Sequence, residues 1–439
     1  MRGTDQKGIS YENDFNLTLR SDKLINETQK TPEFRDDDSA VIYNMLLKAL
    51  KPVDFGYYLK RYVYQAAGYH AEFRSVKTED YVETITEAFS NKGIPPSLKP
   101  TSTKLRAAVK NWLSQKTVSR ETVMMLAFGL EMDLDTLNRF LTKALQECSL
   151  NPKDPVETIC WYCIKSHLGY YHFRRLLTRY EELPGTAEAG QNINHMETML
   201  LRTEVADIRD EKTLMRYLNQ LRRPDGRSRQ SVVARSVFNQ LYSAARNIIT
   251  ELNNNMEEDC NNVETGRLQE RLSRNDRLFD DQKQEQLKRF AEQRKQWSIE
   301  DITPASFEEV LFSAVPRDRN GNLIPMKGSA LNEHFRGKRL NRQHIQEILD
   351  GTGTISRYDL ATMSFFVLSQ KSMEEENPLK RYNTFVEETN SILDRCGMGK
   401  LYTANPYEAF LMICMLTDYP LGTYADVWEM SYEPEDTKE

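Results

Sequence analysis

Glycine and proline are scarce in this chain, with 19 and 16 among 439 residues. Leu, Glu, Arg, Lys, Gln and Met are common instead, and their straight side chains lose little rotamer freedom in a helix. Both features predict an all-α fold. A chain of this length is too long for one ordinary core and predicts a multi-domain helical protein.

Cysteine is also rare, and the six cysteines have no spacing typical of a disulfide framework. Most of them stand in apolar contexts, as in Ile159-Cys160-Trp161 and Ile413-Cys414-Met415. Buried, reduced thiols of a cytoplasmic protein fit this usage better than disulfides do.

Long hydrophobic runs are missing. The densest one, Ala409 to Leu416, is far shorter than the roughly 20 residues that a membrane-spanning helix needs. The first residues, Met1 to Lys7, lack the apolar stretch of a signal peptide. We therefore expect a soluble protein in the cytoplasm that has no membrane partner.

No catalytic motif is present: the sequence has no Walker loop, nucleophile elbow, His-Glu-x-x-His pair, dinucleotide fingerprint or kinase set. Cys160, Cys163 and His167 fall on one face of a predicted helix and have a zinc-like spacing. The only nearby thiol that could serve as a fourth ligand is Cys148. A similar stretch near the C-terminus has Leu411 where this one has Cys160, which favours a buried helix face over a metal site. We expect no enzyme activity, cofactor or metal.

Changes in composition along the chain predict five segments. Residues 1–38 are predicted to be a flexible polar arm, and residues 39–185 an N-terminal helical domain. Residues 186–255 follow as a helical segment with an arginine-rich loop. Residues 256–300 are rich in charge and predict a solvated helix or linker rather than a coiled coil, because no heptad pattern persists. Residues 301–439 are predicted to be a C-terminal helical domain.

The chain contains an internal similarity between residues of about 100–183 and about 327–433. Several short matches occur in the same order in both copies, and they predict a duplication. The matched pairs are Val118-Ser119-Arg120 with Ile355-Ser356-Arg357, Asn138 with Asn390, Asp154-Pro155-Val156-Glu157 with Asn405-Pro406-Tyr407-Glu408, Cys163 with Cys414, and Leu168-Gly169 with Leu421-Gly422.

The matched residues predict where helices begin. Ser119 and Ser356 each precede an apolar helix, where a hydroxyl can accept hydrogen bonds from free backbone amides. Asp154 and Asn405 can do the same, with a proline at the first helical position.

The stretch from Val109 through Trp112-Leu113-Ser114 to Leu126-Ala127-Phe128 resembles the Cro/lambda-repressor-like helix-turn-helix family. The second copy, Asn341 to Gly351 followed by Ile355-Ser356-Arg357, looks similar. The resemblance covers about 40 residues per copy, and in the second copy it implies a preceding helix near Ser329–Phe335. It also implies a recognition helix whose first side chains read base edges in the major groove.

The residues that this resemblance and the basic segments nominate for nucleic-acid contacts are polar or basic. They are Arg336, Lys338, Arg339, Asn341, Arg342, Gln343 and His344 in the second copy, Ser102, Thr103, Lys104 and Arg106 in the first, and Arg222, Arg223, Arg227 and Arg229 in the loop.

Two functions remain open. The first is a non-enzymatic, bacterial-type regulatory or adaptor protein whose duplicated helical modules bind a protein partner. The alternative is a sequence-specific transcriptional regulator that binds duplex DNA. The net charge of −6 favours the first, because any nucleic-acid contact must come from local basic patches. The basic run Arg336 to Arg339 favours the second.

Overall fold

The computed structural model describes residues 39–50, 54–92, 102–186, 198–273, 297–313, 337–372, 377–403 and 405–431, together with 315, 323, 335 and 375. Seventeen α-helices and no β-strand occur in these ranges, so the fold is all-α as predicted. The predicted arm 1–38 lies outside the described residues, as do 274–296 and most of the helix expected near Ser329–Phe335.

The first ten helices run from the described N-terminus to a hairpin at residues 222–228. They are α1 (Ser39–Leu50), α2 (Phe55–Ala66), α3 (Thr78–Lys92), α4 (Ser102–Trp112), α5 (Arg120–Gly129), α6 (Leu134–Arg139), α7 (Pro155–Lys165), α8 (Tyr170–Glu181), α9 (Thr198–Asp207) and α10 (Glu211–Leu221). Seven more follow: α11 (Arg229–Ser273), α12 (Pro304–Leu311), α13 (Arg342–Leu349), α14 (Arg357–Lys371), α15 (Pro378–Arg395), α16 (Pro406–Cys414) and α17 (Pro420–Met430).

The predicted helix starts in the two similar regions are confirmed. Ser119 and Ser356 lie directly before α5 and α14, and each hydroxyl accepts a hydrogen bond from a backbone amide in the first turn. Asp154 and Asn405 cap α7 and α16 in the same way, with proline in the first turn. Short polar side chains thus satisfy amides that have no partner inside their own helix.

Two hydrophobic cores hold the helices together. The first contains buried side chains of α2 to α10, with Phe55, Phe140 and Trp161 among the largest. The second contains the N-terminal half of α11 and the helices α12 to α17.

Helix α1 packs on the second core, although the sequence grouped it with the first. Its apolar stripe buries Ile42 and Leu46 against the C-terminal helices. The hydroxyl of Ser39 donates to Asp426 Oδ2 on α17 at 2.9 Å. Sequence adjacency is a poor guide here, because α1 lies against helices almost 400 residues away along the chain.

The predicted segment 186–255 is divided between the two cores. Helix α10 belongs to the first core and α11 begins the second, with the hairpin between them. Helix α11 has 45 residues and, at 1.5 Å per residue, a length of roughly 68 Å. It continues to Ser273, so residues 256–273 of the predicted charged segment are α-helical. None of the described helices combines the length and apolar character needed to cross a bilayer.

Candidate functional site

We call the two similar regions, residues of about 100–183 and about 327–433, the first and second modules. An ion pair joins two helices in the first module. Arg120, at the start of α5, donates from Nε and Nη2 to the two carboxylate oxygens of Glu157 on α7, at 2.5 and 2.9 Å. Glu157 Oε2 also accepts from the amide of Asn151 at 2.6 Å. The pair therefore fixes the loop between α6 and α7 as well as the two helices.

The second module has the same arrangement at the aligned residues. Arg357 donates to Glu408 at 2.5 and 2.9 Å, and Glu408 Oε2 accepts from the amide of Tyr402 at 2.6 Å. The aligned asparagines also agree. Asn138 Oδ1 accepts from the Leu150 amide at 3.1 Å, and Asn390 Oδ1 accepts from the Leu401 amide at 2.7 Å. The duplication stays a prediction, and these matched contacts support it.

The two loops held by these ion pairs contact each other. Asn405 Nδ2 donates to the carbonyl of Gln146 at 3.1 Å, and Asn151 Nδ2 donates to the carbonyl of Gly397 at 2.7 Å. Gln146 and Gly397 occupy equivalent positions, and both have a left-handed backbone, with φ of 57° and 69°. The modules are therefore joined by reciprocal side-chain to backbone bonds.

Charged and polar side chains complete this junction. Arg357 Nη1 donates to Cys148 Sγ at 2.9 Å, and the Tyr358 hydroxyl donates to Glu147 Oε1 at 3.0 Å. Burial lowers the pKa of Arg357, but Glu408 and the other groups around it outweigh that effect and raise the pKa above its usual value. The guanidinium is thus permanently charged, and its role here is structural.

The predicted recognition residues of the second module make contacts within the protein. The Asn341 side chain caps α13 by accepting from the His344 amide at 2.9 Å. The Arg342 amide donates to Glu308 Oε1 at 3.0 Å, and Gln343 donates to Glu347 on the next turn. These four consecutive residues lie together at the start of α13, as the helix-turn-helix hypothesis requires, but Asn341 serves as a cap.

His344 and the neighbouring basic residues also face other side chains. His344 Nε2 lies 3.1 Å from Asp359 Oδ2, and this hydrogen bond raises the histidine pKa. The Lys338 ammonium lies 4.6 Å from the centroid of the Tyr358 ring, and burial lowers its pKa. The Arg339 guanidinium lies 5.9 Å from the Phe312 ring centroid. Arg336 falls outside the described residues.

The residues of the first module that were predicted to contact nucleic acid lie on α4. Lys104 is exposed, and Arg106 pairs with Glu83 of α3 at 3.3 Å. The side chains of Ser102 and Thr103 fall outside the described set.

The four loop arginines surround the hairpin between α10 and α11. Arg222 donates to the carbonyls of Leu183 and Glu181, and Arg229 donates to the carbonyl of Gln220. Arg223 and Arg227 both pair with Asp225, at 3.2 and 2.8 Å. Two of the arginines therefore bond within the hairpin, and the other two attach it to the ends of α8 and α10.

The two cysteines and the histidine that have a zinc-like spacing do not come together around one point. Cys160 and Cys163 are buried in the first core, and burial raises the thiol pKa of Cys163 to about 12. His167 is exposed just beyond the end of α7, with φ of 53°. In the part of the chain that the structure describes, no group of three or more His, Cys, Asp or Glu side chains is arranged to hold a metal ion.

One concave feature of the described residues was not predicted from the sequence. It is a groove of about 890 Å³ between α11, α12, the end of α14 and the start of α17, which we call the α11–α17 groove. Its apolar lining includes Ile249, Leu252, Trp297, Val310, Tyr419 and Leu421. These residues come from four separate stretches of the chain, so no local pattern could have identified the groove.

Two aromatic residues of the α11–α17 groove differ in their surroundings. The backbone of Trp297 is held by the Asn254 side chain, which accepts from its amide at 2.8 Å and donates to its carbonyl at 3.1 Å. Tyr419, in contrast, is 59% exposed. The groove thus combines a fixed wall with a large aromatic side chain that solvent reaches.

Comparison with protein-family models, with curated proteins and with solved structures found no match for this chain. The function is therefore inferred from the geometry of the α11–α17 groove and of the predicted recognition residues.

Proposed function

We propose that this protein is a non-enzymatic regulatory or adaptor protein that binds a polypeptide partner in the α11–α17 groove. The observation that carries the proposal is the size and character of that groove. A volume of about 890 Å³ is near the upper end for ligand sites, and the lining is mainly apolar with a few polar side chains. An apolar groove of this kind between helices suits a partner's helix or extended segment.

The lining offers little to catalysis. Hydroxyl groups are carried by Ser306, Ser313, Ser369, Tyr419 and Thr423, and the described lining includes no histidine or lysine that could activate one of them. The lining carboxylates are Glu309, Asp418 and Asp426, and among the described residues none of them forms a hydrogen bond with these hydroxyl groups. Binding without chemistry is accordingly the simpler role for the groove.

The transcriptional-regulator alternative has less support from the contacts around α13. Base readers need polar side-chain atoms that are available to the major groove. Asn341 uses its oxygen to cap α13, Gln343 bonds Glu347, and His344 bonds Asp359. DNA binding through this helix would require these contacts to break, whereas binding in the α11–α17 groove requires no such change.

The proposal is tested by affinity capture from an extract of the source cells with three forms of the protein. Tyr419→Arg places a charge in the groove, and Tyr171→Arg makes the same change at another exposed tyrosine, in the first module. We expect a polypeptide to be retained by the wild type and by Tyr171→Arg, and to be lost with Tyr419→Arg. Circular dichroism checks that both variants are folded.

A second measurement addresses the alternative. The protein is titrated with mixed duplex DNA over a salt series, and the same titration is repeated with Arg339→Ala and Arg342→Ala. Retention of the same polypeptides by all three capture forms, together with DNA binding that weakens steeply with salt and with either substitution, would overturn the proposal in favour of the regulator.

A further inference from the structure

The charged side chains in the described lining of the α11–α17 groove are all acidic. Glu309 on α12, Asp418 before α17 and Asp426 on α17 line it, and the described lining contains no lysine or arginine. Glu309, Asp418 and Asp426 are exposed to solvent. An apolar surface whose charged lining residues are carboxylates disfavours acidic partners and attracts basic ones.

The contacts that these carboxylates already make leave acceptor sites unused. Asp418 Oδ1 lies 3.7 Å from Arg381 Nη2, and Asp426 Oδ2 accepts from the Ser39 hydroxyl at 2.9 Å. A carboxylate has about four lone-pair positions, so one such contact leaves room for a lysine or arginine of a partner.

The positions of the lining residues indicate which shape of partner fits the groove. The lining residues of α12 run from Ser306 to Val310, about one helical turn or roughly 6 Å, and Ser313 follows just beyond the end of the helix. Val310, Leu421 and Ile249 face this space from three different helices. A helix that presents apolar side chains at positions i, i+4 and i+7 fits such an arrangement.

We propose that the occupant of the α11–α17 groove is a basic amphipathic helix of another protein, with its apolar stripe in the groove and lysines or arginines beside Glu309, Asp418 and Asp426. This inference rests on the proposed function and names the chemistry of the partner. The apolar contacts supply most of the affinity. The exposed charge pairs are individually weak, so they supply orientation and discrimination between partners.

The test uses the full-length protein and two fluorescent synthetic peptides of about 14 residues, or four helical turns. Both have leucines at i, i+3, i+4 and i+7, and the remaining positions are mainly lysine in one peptide and glutamate in the other. We expect the basic peptide to bind about tenfold more tightly than the acidic one, and the difference to shrink as salt screens the charges. A change in Trp297 fluorescence that disappears in Trp297→Phe locates the site.

Reversing the charge of a lining residue tests directly whether the acidic side chains select the peptide. Glu309→Lys should weaken the basic peptide and strengthen the acidic one. Glu388→Lys makes the same change on an exposed position of α15 outside the lining, and it should alter neither affinity. Tyr419→Arg should weaken the basic peptide most, because it removes an apolar contact and adds a positive charge, and should weaken the acidic peptide less.

The other outcomes separate this inference from the proposed function. If both peptides bind equally and both are lost with Tyr419→Arg, the charge preference is wrong and the binding role stands. If neither binds while the extract polypeptide still depends on Tyr419, the helix chemistry is wrong and the binding role stands. If peptides and extract both fail, both proposals fall. A dimer in sedimentation equilibrium that Tyr419→Arg dissociates would assign the groove to a second copy and overturn the inference.

Discussion

Arg357 and Glu408 form a two-bonded ion pair between α14 and α16, and Arg120 and Glu157 repeat it with the same two distances in the first module. The Glu408 side chain is 1% exposed and that of Arg357 is 15% exposed. The first-module pair is less enclosed, at 11% for Glu157 and 22% for Arg120. The two pairs therefore offer a matched comparison of one contact at two degrees of burial.

Glu408→Ala should destabilise the protein by about 3–5 kcal/mol, because it leaves the Arg357 guanidinium largely buried without its partner. Glu157→Ala should cost less, since water reaches Arg120 more easily. The free energy of unfolding from urea denaturation measures both. Glu388→Ala, at an exposed position, should change it by less than about 0.5 kcal/mol. A cost for Glu408→Ala no larger than that of the control would contradict the structural role.

Asp154 should make stability depend on pH between about 4 and 6. The pKa of Asp154 is raised to about 6, mainly because its carboxyl group is buried and also because of the negative charge of Glu157. Because the folded state holds this proton more tightly than the unfolded state does, stability falls as pH rises from about 4 through 6. The loss is on the order of 2–3 kcal/mol.

Asp154→Asn reproduces the residue at position 405, which caps α16 without a charge. Relative to wild type, the variant should become progressively more stable as pH rises from 4 to 7. Urea denaturation of both proteins at several pH values gives the difference. A difference that stays constant over this range would be inconsistent with the raised pKa.

His344 should stabilise the folded protein at low pH. Its hydrogen bond to Asp359 raises the pKa of the imidazole, against a smaller opposing effect of burial. The stabilisation is thus fully present below the ordinary histidine pKa of about 6.5 and is lost as pH rises through the raised value. In an NMR titration, Asp359→Asn should lower the His344 pKa, whereas Gln346→Glu on the exposed side of α13 should change it much less. An unchanged value in Asp359→Asn would show that the pair does not govern the histidine.

Gly397→Ala should lower the free energy of unfolding by about 1–2 kcal/mol, because a side chain is disfavoured in a left-handed backbone. A Cβ at this position would also lie 3.1 Å from the Lys153 side chain. Gln146→Ala is the matched control, since residue 146 has the same conformation and already carries a side chain. Equal effects of the two substitutions would argue against the proposed cost.

The sequence was sufficient for features that depend on local chemistry. The capping roles of Ser119, Ser356, Asp154 and Asn405 follow from residue type and position, and all four are confirmed. The role of Asn341 could have been predicted by the same rule, because asparagine before an amphipathic helix is a favoured cap.

Features that depend on distant segments could not be predicted. The bond from Asn405 to Gln146 joins residues 259 positions apart, and the bond from Asn151 to Gly397 joins residues 246 positions apart. The α11–α17 groove likewise exists only once α11, α12, α14 and α17 share one core. Periodicity gives the buried face of each helix but does not identify the helix that covers it.

The paired hydrogen bonds between Asn254 and the backbone of Trp297 hold the chain against α11 roughly five helical turns before that helix ends. The two ends of the stretch 255–296 are therefore joined to each other. Because the free energy of closing a loop changes only slowly with its length, a change in the length of this stretch should cost little at this junction. Variants that shorten or lengthen it while keeping Asn254 and Trp297 are expected to retain the attachment of Trp297 to α11.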